Sequence, residues 1–516
     1  LSQPLGLKVV EGKINVLGRD QLTRLHDLNN DGEADYYEAF SRAYKTPVGG
    51  HDYLTGLETD AQGRYYFASG VLGINRISAD GKTAEVLATG LRNPNGLAVG
   101  PKGEVIAGAQ EGDWTAASWL TELTPGGHYR HGGPRPGPLG DLPPTLFFPR
   151  GVENSCGGQV FVNSENFGLP QGSLIHLSWG YGTAFVILRE TIDSQVQGAA
   201  VPMPVEFLSG AHQDGHLYVA CMTGWSTYTT TVGSFQRMRY NSGQVVTAAA
   251  FQAHENGIRL EFAEPLEPLA SSKSKYFAQQ WNYRIGPAYG SDEYSVRWPQ
   301  QPGHDLLEIR SAHVAADRKS VFLEIPQLQP SHQLHMHADL SQLLSKDFYF
   351  TLHKLGPPFT DFAGYQAIAK VTPVQSAAIM LDVEPSPFEQ GAEGRAIKIQ
   401  TAAGLQFAQR ELSAKVGERI SLTLENSDLT PHNWVLGKPG TFNKISDDAD
   451  RNLANPKALS QSYVPQLPEV LTHTRLVNPN ASTTIHFTLP DEKGDYPYLC
   501  TFPGHTKIMR GVLHVE

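Results

Sequence analysis

Cysteine is scarce in this sequence, and so are membrane-length hydrophobic runs and excess positive charge. Three Cys occur among 516 residues, and no Cys-x-x-Cys-His segment is present, so no c-type haem is attached within this chain. No apolar run reaches the ~18 residues that cross a bilayer, so no transmembrane segment is expected. The formal net charge of −11 argues against nucleic acid as a partner.

The composition favours short strands over long helices. The chain holds 51 Gly and 35 Pro, and its length predicts about three or four domains. It begins with Leu-Ser-Gln, and we expect a signal peptide or a larger segment to have preceded this start. Cys156 and Cys221 either form one disulfide, as exported proteins often have, or remain two buried thiols.

A set of soft metal ligands lies near the C-terminus. Cys500, His505 and Met509 fall within ten residues, and His432 lies between strand-like runs far upstream. A thiolate and two imidazoles in a trigonal plane, with a long bond to a thioether, suit copper that cycles between two oxidation states. Because three donors share one short loop, only His432 must be brought from a distance. The alternative is a buried Cys beside a core His.

Residues 395–516 resemble azurin and the auracyanins, blue copper proteins of the cupredoxin Greek-key fold. The matching stretches are HNWVL at 432–436, THTRL at 472–476 and CTFPGH at 500–505 with Met509. The resemblance implies that His432, Cys500 and His505 are the strong ligands of a type 1 copper and that Met509 is the axial one. It also implies a periplasmic or extracellular location.

Residues 1–250 alternate strand-like segments with turns of Gly, Asn and Asp. Irregular repeats of an apolar run, a turn and a second apolar run predict the blades of a β-propeller. About five blades are countable, and since such propellers close with roughly six or more, we expect one blade to lie upstream of Leu1.

This region resembles the propeller of the sorbosone and soluble glucose dehydrogenases found in some large secreted bacterial proteins. The residues that carry the resemblance lie at 18–25, 90–97 and 149–155. In those enzymes an Arg-Asn-Pro-x-Gly loop lies near pyrroloquinoline quinone, which implies Arg92 and Asn93 as cofactor-binding candidates. The same turn opens blades that bind no cofactor, and we predict that this propeller holds no quinone and acts as a scaffold.

Residues 27–38 follow the spacing of a calcium loop. Oxygen donors occupy its first, third, fifth, seventh, ninth and twelfth positions, with Gly32 at the sixth: Asp27, Asn29, Asp31, Glu33, Asp35 and Glu38. Because Tyr36 and Tyr37 suit a strand, the loop is predicted to be a structural calcium clip on a blade hairpin. The alternative is a turn without metal.

Residues 251–355 alternate apolar and polar side chains at period two, which predicts an Ig-like β-sandwich. Within it, His332, His335 and His337 lie close together in sequence, either as a second metal site or as hydrogen-bonded histidines. Residues 356–394 are Pro-rich and predict a linker.

The sequence therefore predicts an all-β protein with a propeller at 1–250, a sandwich at 251–355 and a cupredoxin domain at 395–516. We expect a secreted electron-transfer protein whose copper faces an external redox partner through the edge of His505. The partner would be a protein such as a c-type cytochrome, or another subunit of an assembly. The alternative is a quinone-dependent sugar or alcohol dehydrogenase whose propeller passes electrons to copper.

Overall fold

The structure is a computed structural model in which strands predominate. It describes residues 1–45, 53–132, 139–206, 209–213, 216–222, 233–240, 246–367, 383–402, 405–428, 430–452, 455 and 457–516. Within these ranges the only α-helix is α1 (Phe442–Arg451), and short 3-10 turns occur at Glu165–Phe167, Pro268–Ser271 and Lys273–Lys275. The prediction of an all-β protein is confirmed. No helix in the described ranges is long and apolar enough to cross a membrane.

The first half of the chain forms consecutive antiparallel meander sheets. The first is β1 (Gly6–Val10), β2 (Lys13–Leu17), β3 (Leu22–His26) and β4 (Tyr36–Ser41), and the second is β5 (Leu54–Thr59), β6 (Tyr65–Ser69), β7 (Gly73–Ile77) and β8 (Ala84–Ala88). The third is β9 (Leu97–Val99), β10 (Val105–Ala109), β11 (Trp119–Glu122) and β12 (Leu146–Phe147). The fourth is β13 (Cys156–Phe161), β14 (Leu174–Ser178), β15 (Thr183–Ile192) and β16 (Gln195–Glu206), and the fifth is β17 (Ser209–Gln213), β18 (His216–Met222) and β19 (Gly233–Met238).

These sheets are arranged as the blades of a propeller. The first strand of each sheet packs against the first strand of the next, from β1 to β5, β9, β13 and β17 in turn. Such packing of inner strands is what a radial array of four-stranded sheets requires. The blade prediction is confirmed, and the described residues contain the five sheets that the sequence pattern indicated.

The fourth blade continues into the sandwich through one shared sheet. Strand β16 pairs with β28, so that a nine-stranded sheet contains the four blade strands and the strands β22 (Tyr276–Tyr283), β23 (Glu293–Tyr294), β24 (Asp305–Leu307), β27 (Ser331–Ala338) and β28 (Asp347–Leu352). The facing sheet contains β20 (Ala248–His254), β21 (Gly257–Phe262), β25 (Ser311–Val314) and β26 (Ser320–Glu324). Sequence period identifies strands but not their partners, and for this reason the separate units expected at 1–250 and 251–355 are joined here.

The C-terminal unit packs two sheets face to face. One contains β29 (Arg395–Ala402), β30 (Gln406–Phe407), β32 (Arg419–Asn426) and β35 (Ala481–Thr488). The other contains β31 (Glu411–Ala414), β33 (Val435–Gly437), β34 (Val470–His473), β36 (Gly494–Leu499) and β37 (Arg510–Val515). Buried and exposed positions alternate along β29 and β32, because one face of each strand meets a core that includes Trp434 and Tyr498.

Gly73 gives a test of how closely the second blade is packed. Its φ is 79°, and a Cβ at this position would overlap the carbonyl oxygen of Ala88 on β8. Gly12 has a similar φ of 76° with open space around it. Gly12→Ala should lower the free energy of unfolding by about 1–2 kcal/mol, because alanine is disfavoured in the left-handed backbone conformation. Gly73→Ala should lower the free energy of unfolding by about 1–3 kcal/mol more, because its methyl group would also overlap the Ala88 carbonyl. Equal losses would contradict the close contact between β7 and β8.

Candidate metal centre

Strand pairing brings the four predicted copper ligands to one end of the C-terminal unit. Val435 pairs with Leu499, which places His432 and Cys500 just beyond the same end of β33 and β36. His505 lies in the loop between β36 and β37, and its carbonyl accepts from the Met509 N–H. The Met509 carbonyl accepts from the Cys500 N–H at 2.9 Å, so the loop closes on itself.

The sulfur of Cys500 lies equally far from the two imidazoles. Its Sγ is 3.7 Å from Nδ1 of His432 and 3.7 Å from Nδ1 of His505. With metal–sulfur and metal–nitrogen bonds of about 2.3 and about 2.0 Å, as in zinc sites, an ion in a trigonal plane would set sulfur and nitrogen about 3.7 Å apart. His432, Cys500 and Met509 are fully buried. These residues therefore fit a copper ion held by one sulfur and two nitrogens.

Hydrogen bonds hold the His432 ring in place from behind. Its Nε2 donates to Oδ2 of Asp428 at 3.0 Å and lies 3.2 Å from the Thr430 hydroxyl, which leaves Nδ1 facing Cys500. Burial by itself lowers the pKa of His432, but the Asp428 hydrogen bond and the adjacent Cys500 more than offset it and raise the pKa to about 9. Such partners of a metal-binding His fix its orientation. Asp428 is not among the residues predicted from the sequence, although an acidic residue four positions before a predicted ligand is a usable signal.

Asn433 connects the two ligand-bearing loops. Its amide nitrogen donates to the Thr501 hydroxyl and to the Ser462 carbonyl, both at 2.7 Å. Its oxygen accepts from the Thr501 N–H at 2.7 Å. The residue after His432 is thereby joined to the residue after Cys500, which restricts relative movement of the two donors.

The expectation that His505 faces the outside is wrong. Its exposed fraction is 2%, and it borders a cavity of about 330 Å³ whose other walls include Arg150, Trp281, His304, His335 and Tyr349. A Cβ at Gly504 would overlap the His335 ring, and Phe502 meets Phe277 edge-on at 5.7 Å. The sheet of the upstream unit covers the loop, a contact between distant segments that periodicity could not reveal.

Two histidines of the sandwich share one carboxylate under this contact. Nε2 of His335 and Nδ1 of His337 both donate to Oδ1 of Asp347 at 2.8 Å. His332 lies apart, and its Nδ1 accepts from the Tyr283 N–H at 3.0 Å. The second metal site considered for the three histidines is thus not assembled, whereas the alternative of hydrogen-bonded histidines describes what the structure shows.

The predicted calcium loop connects β3 and β4. Asp27, Asn29 and Asp31 accept hydrogen bonds from amides of the same loop, and Asp35 accepts from the Leu28 N–H at 2.7 Å. Glu33 is exposed. Glu38, on β4, lies 2.8 Å from Nε2 of His26 and is paired with it. Local hydrogen bonds thus connect the segment that contains Asp27, Asn29 and Asp31, whereas Glu38 is directed at His26.

Arg92 and Asn93 lie in the turn before β9. The Arg92 guanidinium donates to the Glu111 carbonyl at 2.7 Å and to the Asp113 carboxylate at 3.2 Å. Asn93 has a φ of 42°. The arginine is thus occupied by neighbouring residues of the third blade.

Comparison with known proteins identifies the C-terminal unit. The family of copper binding proteins described as plastocyanin/azurin matches residues 395–516. Auracyanin-A of Chloroflexus aurantiacus is 33% identical over 115 residues, which are 22% of this chain and 68% of that protein. Through these residues, the chain belongs to the plastocyanin/azurin family. Azurin-1 of Alcaligenes xylosoxydans xylosoxydans is 27% identical over 119 residues, 21% of this chain and 88% of that protein.

Solved structures resemble both parts of the chain. Auracyanin A of Chloroflexus aurantiacus, a blue copper protein, is 30% identical, with a TM-score of 0.22 over 24% of this chain and 98% of its own. A glucose dehydrogenase is 16% identical, with a TM-score of 0.34 over 46% of this chain and 84% of its own.

The pairing of Asp347 with His335 and His337, beneath the cupredoxin domain, gives a pH-dependent prediction. Burial raises the pKa of Asp347, but the adjacent His337 and His335 outweigh it and hold that pKa well below its usual value. Burial lowers the pKa of His337, but Asp347 outweighs it and the pKa is raised. The carboxylate contributes stability that is lost as pH falls below about 4, and the imidazolium contributes stability that is lost as pH rises above about 6.5.

The Asp347→Asn protein should therefore melt at a lower temperature than the wild type, with the largest difference between about pH 4 and about pH 6.5. Melting temperatures across pH would measure this. The matched variant Asp495→Asn removes an exposed partner of His514 and should leave a much smaller difference. A difference for Asp347→Asn that does not vary with pH would contradict the pairing.

Proposed function

We propose that this protein transfers electrons outside the cytosol through a mononuclear type 1 copper bound by His432, Cys500, His505 and Met509. The observation that carries the proposal is the equal distance of 3.7 Å from the Cys500 sulfur to Nδ1 of each histidine, in a buried setting. Bound copper would supply one-electron chemistry by cycling between Cu(II) and Cu(I).

The protein's part in this chemistry is to keep the donors fixed while the charge changes. Asp428 holds the His432 ring, and Asn433 joins the loop of His432 to that of Cys500. The short chain between Cys500 and Met509 is closed by its own backbone hydrogen bonds. Donors that do not rearrange cost little when an electron arrives or leaves, and this suits electron transfer more than binding of a substrate at the metal.

The upstream units serve as scaffold and docking modules in this proposal. Because His505 borders this cavity, an electron partner would exchange electrons with copper across the walls of the cavity, among them Trp281 and His335. A redox protein such as a c-type cytochrome would then dock on a surface made jointly by the sandwich and the cupredoxin domain. The contact of Phe277 with Phe502 supports a fixed arrangement of the two units.

One observation favours a second candidate, a small-molecule electron donor bound in the cavity. His304 lies in its wall, stacked on Trp281 at 3.8 Å and paired with Glu293 at 2.6 Å. An imidazole beside a carboxylate is an arrangement suited to accepting a proton from an alcohol or an aldose as it is oxidised. That oxidation releases two electrons and two protons, so the copper ions of two chains would each accept one electron and the protons would pass to solvent.

The copper assignment predicts colour. The copper-loaded protein should show an intense visible band from the Cu–thiolate bond, and Cys500→Ser should abolish it. Met509→Leu should keep the band and raise the reduction potential, because loss of a weak donor destabilises Cu(II) more than Cu(I). Absorption spectra and a redox titration measure both effects.

The control for this experiment is Cys221→Ser, which should keep the band. A colourless protein at one copper per chain would overturn the assignment. The same band distinguishes the two electron donors: reduction by a small alcohol or aldose alone would favour the second candidate, and reduction only by a redox protein would favour the first.

We also propose that the loop between β3 and β4 binds calcium through Asp27, Asn29, Asp31, Glu33 and Asp35. Support comes from the spacing and from Gly32, whose φ of 90° allows the sharp turn that such a loop requires at its sixth position. Glu38 would join only by leaving His26, with which it is paired.

Calcium should then stabilise the chain by mass action, by about 2.7 kcal/mol at a free concentration about 100 times Kd. We expect added Ca²⁺ to raise the melting temperature and Asp31→Asn to remove the rise. The matched variant Asp80→Asn, in another blade turn, should keep it. An equal rise in the Asp31→Asn protein would argue against this loop.

A further inference from the structure

A second group of potential ligands lies in the fourth blade, outside the cupredoxin domain. Glu153 is in the turn before β13, Cys156 begins β13, and His176 is on the neighbouring strand β14. Their ligand atoms all lie within 4.8 Å of one another, and all three residues are buried. Ser155, with a φ of 67°, turns the chain between the carboxylate and the thiol.

Three polar atoms of this group lack hydrogen-bond partners. Both carboxylate oxygens of Glu153 and Nε2 of His176 are buried without a hydrogen bond. The Cys156 thiol has weak hydrogen-bond acceptors in the carbonyls of Ala109 at 3.4 Å and Trp119 at 3.5 Å. A buried carboxylate without partners is strongly unfavourable, so something must compensate for its charge.

Aromatic rings, which carry no charge, pack on this group. Phe148 stacks on the His176 ring at 4.6 Å, and Phe185 lies beside both. An ion pair between Glu153 and a protonated His176 would be incomplete, because Oε1 and Nε2 are 3.8 Å apart, beyond hydrogen-bond distance, and Oε2 would still have no partner.

We propose that Glu153, Cys156 and His176 bind a transition-metal ion, for which Zn²⁺ is the best chemical match. One ion placed among the three would give the carboxylate, the sulfur and Nε2 a common partner. Zinc accepts thiolate, imidazole and carboxylate together, whereas calcium and magnesium require oxygen donors. On binding, the Cys156 thiol loses its proton to solvent, and a Zn–S bond replaces the S–H bond.

Gln159 is the positioning residue of this site. Its Nε2 donates to the Gly157 carbonyl at 2.7 Å and lies 3.2 Å from Nδ1 of His176, while its Oε1 has no partner. A neutral His176 that binds the ion through Nε2 carries its proton on Nδ1. If the Gln159 amide rotates by half a turn, its Oε1 accepts a hydrogen bond from that N–H, and the hydrogen bond to Gly157 is lost. The new hydrogen bond would fix the orientation of the His176 ring, as the partners of metal-binding histidines do.

Cobalt(II) is a suitable probe, because its bond to thiolate absorbs in the near ultraviolet. We would use the full-length Cys500→Ser protein, kept reduced and anaerobic, so that the copper site offers no thiolate. This protein should bind Co²⁺ with a sulfur-to-cobalt band from Cys156. Adding Cys156→Ser should remove the band, and adding Cys221→Ser should leave it unchanged.

Two further variants test the individual roles. Glu153→Gln keeps the shape of the side chain and removes its charge, so it should weaken Co²⁺ binding while the sulfur band remains at saturation. Gln159→Ala should weaken binding by about 10–100-fold, again with the band retained. Circular dichroism would establish that each protein is folded.

The inference is overturned if the folded Cys500→Ser protein gains no sulfur-to-cobalt band, or if the band survives Cys156→Ser. If the protein with Cys156→Ser does not fold, the Co²⁺ affinity of the Cys500→Ser protein is compared with that of the same protein carrying Glu153→Gln as well. Equal affinity for Co²⁺ in those two would also count against the site. Neither result depends on whether copper binds at Cys500.

Discussion

The Asn433 amide is the interaction on which the copper centre depends. It bonds to the Thr501 hydroxyl and backbone N–H and to the Ser462 carbonyl, which connects three loops at one buried point. Each of these groups would otherwise be a buried donor or acceptor without a partner, so any movement that opens the connection is costly. Fixed loops hold the Cys500 sulfur 3.7 Å from Nδ1 of His432, the separation that fits the proposed copper.

A second constraint acts on the other side of the ligand loop. Gly504 approaches the His335 ring so closely that any side chain at 504 would overlap it. His335 is in turn fixed by Asp347, and Asp347 by His337, whose other ring nitrogen faces Asp450 of helix α1 at 3.7 Å. The cupredoxin domain and the sandwich therefore share one buried polar network. In the proposed function, this contact would set the route of an electron to copper together with the copper ligands.

The four residues that we propose as copper ligands could be selected from the sequence because the information is local. Cys500, His505 and Met509 share one loop, and His432 lies in a short motif with Asn433. The strands followed from period-two patterns, and the blades from repeated turns. The pairing of β16 with β28 and the burial of His505 depend on contacts between distant segments, and no local pattern reports them. The sequence did not indicate the group of Glu153, Cys156 and His176 for a similar reason. The histidine comes close to the other two only through the pairing of β13 with β14.

The two metal-ligand groups are connected through the same segment of the fourth blade. Arg150 and Val152 line the cavity beside His505, and the chain then turns directly into Glu153. Tyr349 packs with Cys156 in one apolar cluster and stacks on His335 at 4.9 Å, so it contacts the surroundings of both groups. An ion at Glu153, Cys156 and His176 would fix the turn that forms one wall of the cavity. If copper is bound beside His505 as proposed, the position of that wall would affect what can approach it. The upstream metal would then act on electron transfer through the shape of the cavity, even if its own charge never changes.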